Sequence, residues 1–214
     1  MESNLNRLFS QAYFIGGSPC SGKSTIAEMI SRQYQLEYYK VDEYEGEHMQ
    51  RCHPDIHPVM HKYSKMDWNE IWMRPVQVQV KEEFEFYRER FQMIRQDLNG
   101  RDPERCMIIE GAALLPELLS QYGADHSRVV FMVPTKDFQI HHYWKRGWIK
   151  TILKDCVNPR QAFENWMERD YGFGQVILRQ AKNFGFNSIL VDRSITKVEC
   201  FDQVRVCLGF NSIT

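Results

Sequence analysis

Nine consecutive residues, Gly17-Ser18-Pro19-Cys20-Ser21-Gly22-Lys23-Ser24-Thr25, satisfy the pattern Gly-x-x-x-x-Gly-Lys-[Ser/Thr]. The chemistry this pattern supports is polyphosphate binding. A Gly-rich turn frees several backbone N–H groups to point at oxyanions, and the positive end of the following helix favours the same charge. Lys23 is expected to reach the β- and γ-phosphates, and Ser24 to hold Mg²⁺. The flanks agree with this reading. Residues 12–16 are short, apolar and β-prone, and residues 24–30 have helical spacing, so the motif lies between a strand and a helix. Cys20 fills a variable position of the loop.

Three acids follow other strand-like runs. Asp42 closes the run at 37–41, Glu110 closes the buried-type run at 106–109, and Asp192 follows 188–191. In an open parallel sheet, ligands bind beyond the carboxyl ends of the strands. Asp42 and Glu110 are therefore the leading candidates for orienting or deprotonating a second substrate, and Asp42 also for the metal. Asp192 fits a loop or helix-capping role equally well.

Basic residues form a second constellation. Arg146 precedes Gly147 in the segment His141–Ile149, where a mobile lid would belong. Asn158 and Pro159 are suited to cap and start a helix. Along that helix Ala162, Asn165, Trp166, Arg169, Phe173, Val176 and Ile177 share one inward stripe. An inward arginine needs an anionic partner. Asp170, Glu164, another acid or a bound phosphate could supply it. Arg160, Arg74 and Arg88 are weaker candidates. The cluster Cys52-His53-Pro54-Asp55-Ile56-His57 suits no standard zinc spacing. Trp68, Trp72, Met73, Phe84 and Phe86 read mainly as core, with some available to line an apolar pocket.

The elements that must position these groups alternate strand, helix, strand, which predicts a single α/β domain with a five-stranded parallel sheet and helices on both faces, a three-layer sandwich. Strands are expected near 12–16, 37–41, 106–109, 129–133 and 188–191. A first helix is expected near 22–34, an irregular stretch at 44–66, and a long helix at 76–98. On that helix Val80, Phe84, Tyr87, Phe91, Ile94 and Leu98 make one apolar face. The 214 residues suffice for one domain of this kind. Within 1–214, residues 44–98 read as an insertion that binds a second substrate, and 141–160 as a lid. The formal net charge of −1 argues against a broad nucleic-acid face. The six cysteines are scattered, and no signal peptide or membrane span is evident. A reducing, cytoplasmic setting is the expectation.

With these residues in place, the chain resembles P-loop small-molecule kinases of the shikimate kinase, gluconate kinase and nucleoside monophosphate kinase group. It also resembles the wider set of P-loop proteins known only as kinase-like or AAA-family ATPases. The order of elements carries the resemblance along nearly the whole chain, and Gly17–Thr25 is its most specific point. Asp42 looks like the acid those kinases carry after the second strand, and Glu110-Gly111 like their turn after the third. Arg146-Gly147-Trp148-Ile149 is similar to the shikimate kinase lid run Arg-Pro-Leu-Leu. Glu168-Arg169-Asp170-Tyr171 is similar to a later stretch whose Arg contacts the acceptor. Val191-Asp192-Arg193-Ser194 looks like the strand and loop that border adenine, which implies a nucleotide contact for Arg193. The chain departs from shikimate kinases in three places. Only Asp42 of an Asp-x-Asp pair is present, Glu110-Gly111-Ala112-Ala113 replaces a triple-glycine turn, and 44–98 is far longer.

The resemblance implies transfer of the ATP γ-phosphoryl group, with Mg²⁺, to a hydroxyl or phosphate of a small acceptor. Lys23 and Ser24 would serve the donor. Asp42 or Glu110 would act as base or metal-water ligand, Arg146 would close with the lid, and Arg169 would complete an anionic pocket. Two other classes stay open. One is a nucleotide-dependent switch or ATPase without a small acceptor, and the other is a nucleic-acid-end kinase, which the balanced charge disfavours.

Overall fold

The computed structural model of the chain describes residues 2–210. Five strands form one sheet: β1 (Tyr13–Gly17), β2 (Glu37–Lys40), β3 (Met107–Glu110), β4 (Val129–Pro134) and β5 (Asn187–Val191). All neighbours are parallel, in the order β2-β3-β1-β4-β5. The β-branched and aromatic content of these runs suits buried parallel strands.

Alternation of side chains divides the core into two layers. Phe14, Ile109, Val129, Phe131 and Val133 face one layer. It is built from helices α1 (Glu2–Gln11), α6 (Val76–Asn99), α7 (Pro116–Gln121) and α10 (Pro159–Asn183). Ile15, Ile108, Val130 and Met132 face the other, covered by α2 (Lys23–Tyr34) and α11 (Lys197–Cys207). The three-layer α/β sandwich is thus present.

The segment expected to be irregular is not. After β2 a 3₁₀ turn (Val41–Tyr44) runs directly into α3 (Glu45–Arg51), followed by α4 (Pro58–Tyr63) and α5 (Trp68–Trp72). These helices are one to two turns long, too short for a periodic stripe to register in sequence. Their caps are readable in retrospect: Pro58 begins α4, and Asp67 with Glu70 forms a capping box on α5. The segment 141–160 comprises the end of α8 (Lys136–Trp144), α9 (Gly147–Leu153) and the turn before α10. Asn158 caps α10 by accepting a hydrogen bond from the Gln161 backbone N–H. A third apolar cluster, with Trp72, Tyr143, Ile149 and Trp166, joins α5, α8, α9 and α10. Cys20 packs against this cluster. Among the described residues, no helix is long and apolar enough to cross a membrane.

Candidate active site

The loop between β1 and α2 is held by its own backbone and by two neighbours. Gly17 has φ +120°, and a Cβ there would lie 2.0 Å from the Met132 carbonyl oxygen, so only glycine fits. The Ser18 carbonyl oxygen accepts from Ser21 Oγ at 3.0 Å and from Lys23 Nζ at 2.7 Å. Gly22 caps α2 in the left-handed region, and the first intrahelical amide bond is Ile26 N–H to the Gly22 carbonyl oxygen at 3.2 Å. The amides of Lys23, Ser24 and Thr25 precede that bond, which is the arrangement that receives an anion at a helix N-terminus. Cys20 is also left-handed, at φ 66°.

Two carboxylates stand beside this loop. Glu110, the last residue of β3, is fully buried, and its Oε2 accepts from the Tyr38 hydroxyl at 3.1 Å. Burial raises its pKa, Lys23 opposes that shift, and Asp42 reinforces it. Its Oε1 is buried without a hydrogen-bond partner, although the Ser24 hydroxyl is close enough to bear on the carboxylate. Asp42 lies in the 3₁₀ turn after β2 with its side chain 47% exposed. Its Oδ1 sits 3.2 Å from where a Cβ on Gly111 would be, so Gly111 lets the turn pass close to the end of β3. The orphaned Glu110 oxygen, the Ser24 hydroxyl and the exposed Asp42 carboxylate form a hard oxygen donor set of the kind Mg²⁺ accepts, with substrate phosphates and waters completing its shell.

Arg90 on α6 is the residue that sequence reasoning missed. It is fully buried, and it donates to the Val41 carbonyl oxygen at 2.6 Å, Glu45 Oε2 at 2.7 Å and His48 Nδ1 at 3.2 Å. Asp42 Oδ1 lies 3.9 Å from the same guanidinium. Arg90 therefore ties the turn bearing Asp42 to α3 and α6. A signal existed: Gln79, Glu83, Phe86, Arg90 and Met93 repeat the 4, 3, 4, 3 spacing of the apolar stripe beside it, and all are buried.

Arg169 points inward as expected, and acids already meet it. Glu83 of α6 pairs with Nη1, and Asp170 Oδ1 lies 2.7 Å from Nε without hydrogen-bonding geometry. Its guanidinium lies 5.0 Å from the Trp72 ring centre. Burial pushes the Asp170 carboxyl up to about 6, with Arg169 opposing and Glu83 adding to the shift. Tyr143 donates to Asp170 Oδ2 at 2.7 Å. Glu164, considered as a partner for Arg169, pairs instead with Arg160, whose side chain is 90% exposed. Arg74 pairs with Glu82 and Tyr63, and Arg88 with Glu117 and Glu85, so both tie structure together. Asp192 caps a local turn by accepting from Ser194.

Arg146 lies at the start of α9, its guanidinium 4.9 Å from the Tyr143 ring centre. It lines a cavity of about 600 Å³ with Cys20, Ser21, Gly22, Thr25 and Arg193. A second cavity, about 760 Å³, is lined by Glu45, Glu83, Tyr87, Trp148, Trp166 and Arg169 among others. Lys23 and Ser24 do not line this first cavity, and Ser24 with Thr25 and Tyr38 lines a smaller one of about 300 Å³, whereas Arg169 lines the second.

The Zeta toxin family model matches residues 4–83, a span that holds the phosphate loop and Asp42. The match covers less than half of the chain; what the sequence and structure themselves show is a three-layer α/β sandwich with a phosphate-loop motif between β1 and α2. The match ends inside α6, before Glu110, Arg146, Arg169 and Arg193. Among solved structures, the chain is similar to shikimate kinase from Aquifex aeolicus at 19% identity, covering 92% of this chain and 96% of that one with a TM-score of 0.42. It is also similar to shikimate kinase from Acinetobacter baumannii in complex with shikimate, at 13% identity and 94% coverage of both chains, with a TM-score of 0.47. No curated protein matches the sequence.

Proposed function

We propose that the protein is an ATP-dependent phosphotransferase that moves the γ-phosphoryl group to a small acceptor. The observation that carries this reading is the second cavity. A nucleotide switch or plain ATPase needs only the space beside the phosphate loop. Here a further cavity of about 760 Å³ is lined by Arg169, and the next residue, Asp170, accepts from Ser18 of the loop.

In this reading the loop amides and Lys23 bind the donor phosphates, and Arg193 borders the base. Ser24, with Asp42 or Glu110, holds Mg²⁺, which when bound neutralises the β/γ oxygens. Asp42 receives the acceptor proton, because it is the exposed carboxylate of the pair, while Glu110 is enclosed and held by Tyr38. Arg146 closes over the moving phosphoryl group as segment 141–160 shuts. Arg169, with both flanking acids, shapes the acceptor wall. Residues 44–98 supply most of that wall.

The test is a panel of neutral, cationic and anionic metabolites scored for acceptor-dependent ADP release by the full chain. At least one should raise ADP release well above the basal rate, and Lys23→Ala should abolish the increase. Hydrolysis that no metabolite alters would favour the ATPase reading and overturn this one.

A further inference from the structure

The second cavity has a composition that selects its occupant. Four carboxylates line it, Glu45, Asp67, Glu83 and Asp155, against a single guanidinium, Arg169. Two of the four are spoken for: Glu45 pairs with Arg90, and Glu83 with Arg169. Arg169 also has Asp170 beside it, so its charge is already met by two acids. Asp67 and Asp155 are exposed on the rim and have no cationic partner among the described residues. They flank the same thiol, Cys156, whose pKa burial raises first and these two carboxylates raise further. The Val157 N–H to Asn69 Oδ1 bond at 3.0 Å holds their two segments together.

The rest of the wall is aromatic. Trp72 and Trp166 stack with ring centres 4.0 Å apart, and Trp148 lies 5.8 Å from Trp166. The indole N–H groups of Trp72 and Trp166 lack partners, although both side chains are more than nine-tenths buried. Both N–H groups lie below the surface, so what the wall offers an occupant is ring surface rather than a donor. Aromatic faces beside carboxylates are the usual means of holding an organic cation. An anionic acceptor would have to displace Glu83 or Asp170 from Arg169, or lie beside uncompensated carboxylates.

We propose that the acceptor is a small organic cation carrying a nucleophilic hydroxyl, an amino alcohol or aminated polyol, with its ammonium held by Asp67, Asp155 and the tryptophan wall. This rests on the phosphotransferase reading. In the reaction the acceptor oxygen bonds to the γ-phosphorus as the bond to the β–γ bridging oxygen breaks. ADP leaves with that electron pair, and the hydroxyl proton passes to Asp42.

The test uses the full, nucleotide-free chain and calorimetric titration with benzyltrimethylammonium, benzyl alcohol and benzoate. The cation should bind about tenfold more tightly than the alcohol, and benzoate most weakly. Asp67→Asn with Asp155→Asn should erase the preference. Asparagine can still cap α5, and Asp155→Asn alone, at an exposed site, should lower the preference if the double variant does not fold. Lys23→Ala should retain the preference, because binding does not need turnover. Benzoate binding as tightly as the cation, three equal affinities, or no binding would each overturn the assignment. If the preference holds while no metabolite of any charge stimulates ADP release, the phosphotransferase reading fails and the cation pocket stands. Acceptor-dependent turnover confined to anions would sink the cation assignment alone.

Discussion

Ser18 Oγ donates to the Asp170 backbone carbonyl oxygen at 3.1 Å, joining residues 152 positions apart in the chain. The contact is buried, and it ties the phosphate loop to the helix that carries Arg169. One turn further along α10, a Cβ on Gly174 would lie 2.8 Å from Val133 Cγ1 of β4 and 3.3 Å from Ser18 Cβ, so glycine there lets the helix lie close to both the strand and the loop. Through Asp170 and Tyr143 the same chain of contacts runs from the loop to the segment that carries Arg146.

Lys23→Ala removes the amine that donates to the Ser18 carbonyl oxygen and that contacts phosphate in the proposed mechanism. Turnover should fall by about 10²–10³ or more, the range seen when one preorganised electrostatic group is lost. The far-ultraviolet circular dichroism should be unchanged. Turnover within threefold of the parent would remove Lys23 from the mechanism.

Arg169→Met leaves Glu83 and Asp170 facing each other in a buried setting. Breaking such a cluster from one side should cost about 3–5 kcal/mol. Urea unfolding of the single variant and of a variant that also carries Glu83→Gln measures it. The second change should recover part of the loss. A single variant as stable as the parent would show that the arginine is not holding these acids.

Arg90→Met should destabilise the protein by about 1–3 kcal/mol, because the Val41 carbonyl loses a buried donor while the half-exposed Glu45 carboxylate can turn to water. Arg90→Lys should rescue only part, since an ammonium cannot span the same fork of partners. At a temperature where the lysine variant is folded, kcat should fall more than the KM for ATP rises. That split marks a positioning role for Arg90 through the turn that bears Asp42. An unchanged kcat in the folded variant would leave Arg90 with a structural role only.

Asp170 gives a pH signature. Its folded-state pKa of about 6 exceeds the ordinary 3.8, so the folded chain holds that proton more tightly than the unfolded chain does. The associated stability is fully present below the unfolded value and is lost as pH rises through about 6, in total roughly 3 kcal/mol. In Asp170→Asn this titration is gone. Unfolding free energies measured from pH 4 to 7.5 should show the variant gaining on the parent up to about pH 6–7, then holding a constant offset. Subtracting the two curves largely cancels Glu110, which burial raises, and His48, which burial lowers. Parallel curves across the range would refute the assignment.

Much of the frame is local and was legible. The phosphate loop is nine adjacent residues whose backbone chemistry depends on their own glycines. Asn158 and Pro159 start α10 by short-range capping, and the apolar stripe of α6 repeats within one helix. The layers follow from the alternation of strands and helices. What was not legible depends on pairs distant in sequence. Glu83 meets Arg169 across 86 positions, and Arg90 reaches the Val41 carbonyl across 49. A charged residue on a helix shows its spacing in sequence but not its partner, because the partner is set by how two helices pack.

The sequence by itself therefore determined one side of the proposed site: a phosphate-loop motif between a strand and a helix, and acids at the ends of neighbouring strands. Only the tertiary structure decided the other side. It gave Arg169 two acidic partners, made Arg90 the brace of the Asp42 turn, and gathered carboxylates and tryptophans from α5, α6, α9 and α10 around one cavity. The physical reason is range. Loop and capping hydrogen bonds form between near neighbours, whereas compensation of a buried charge and the lining of a cavity are settled only when distant elements pack together.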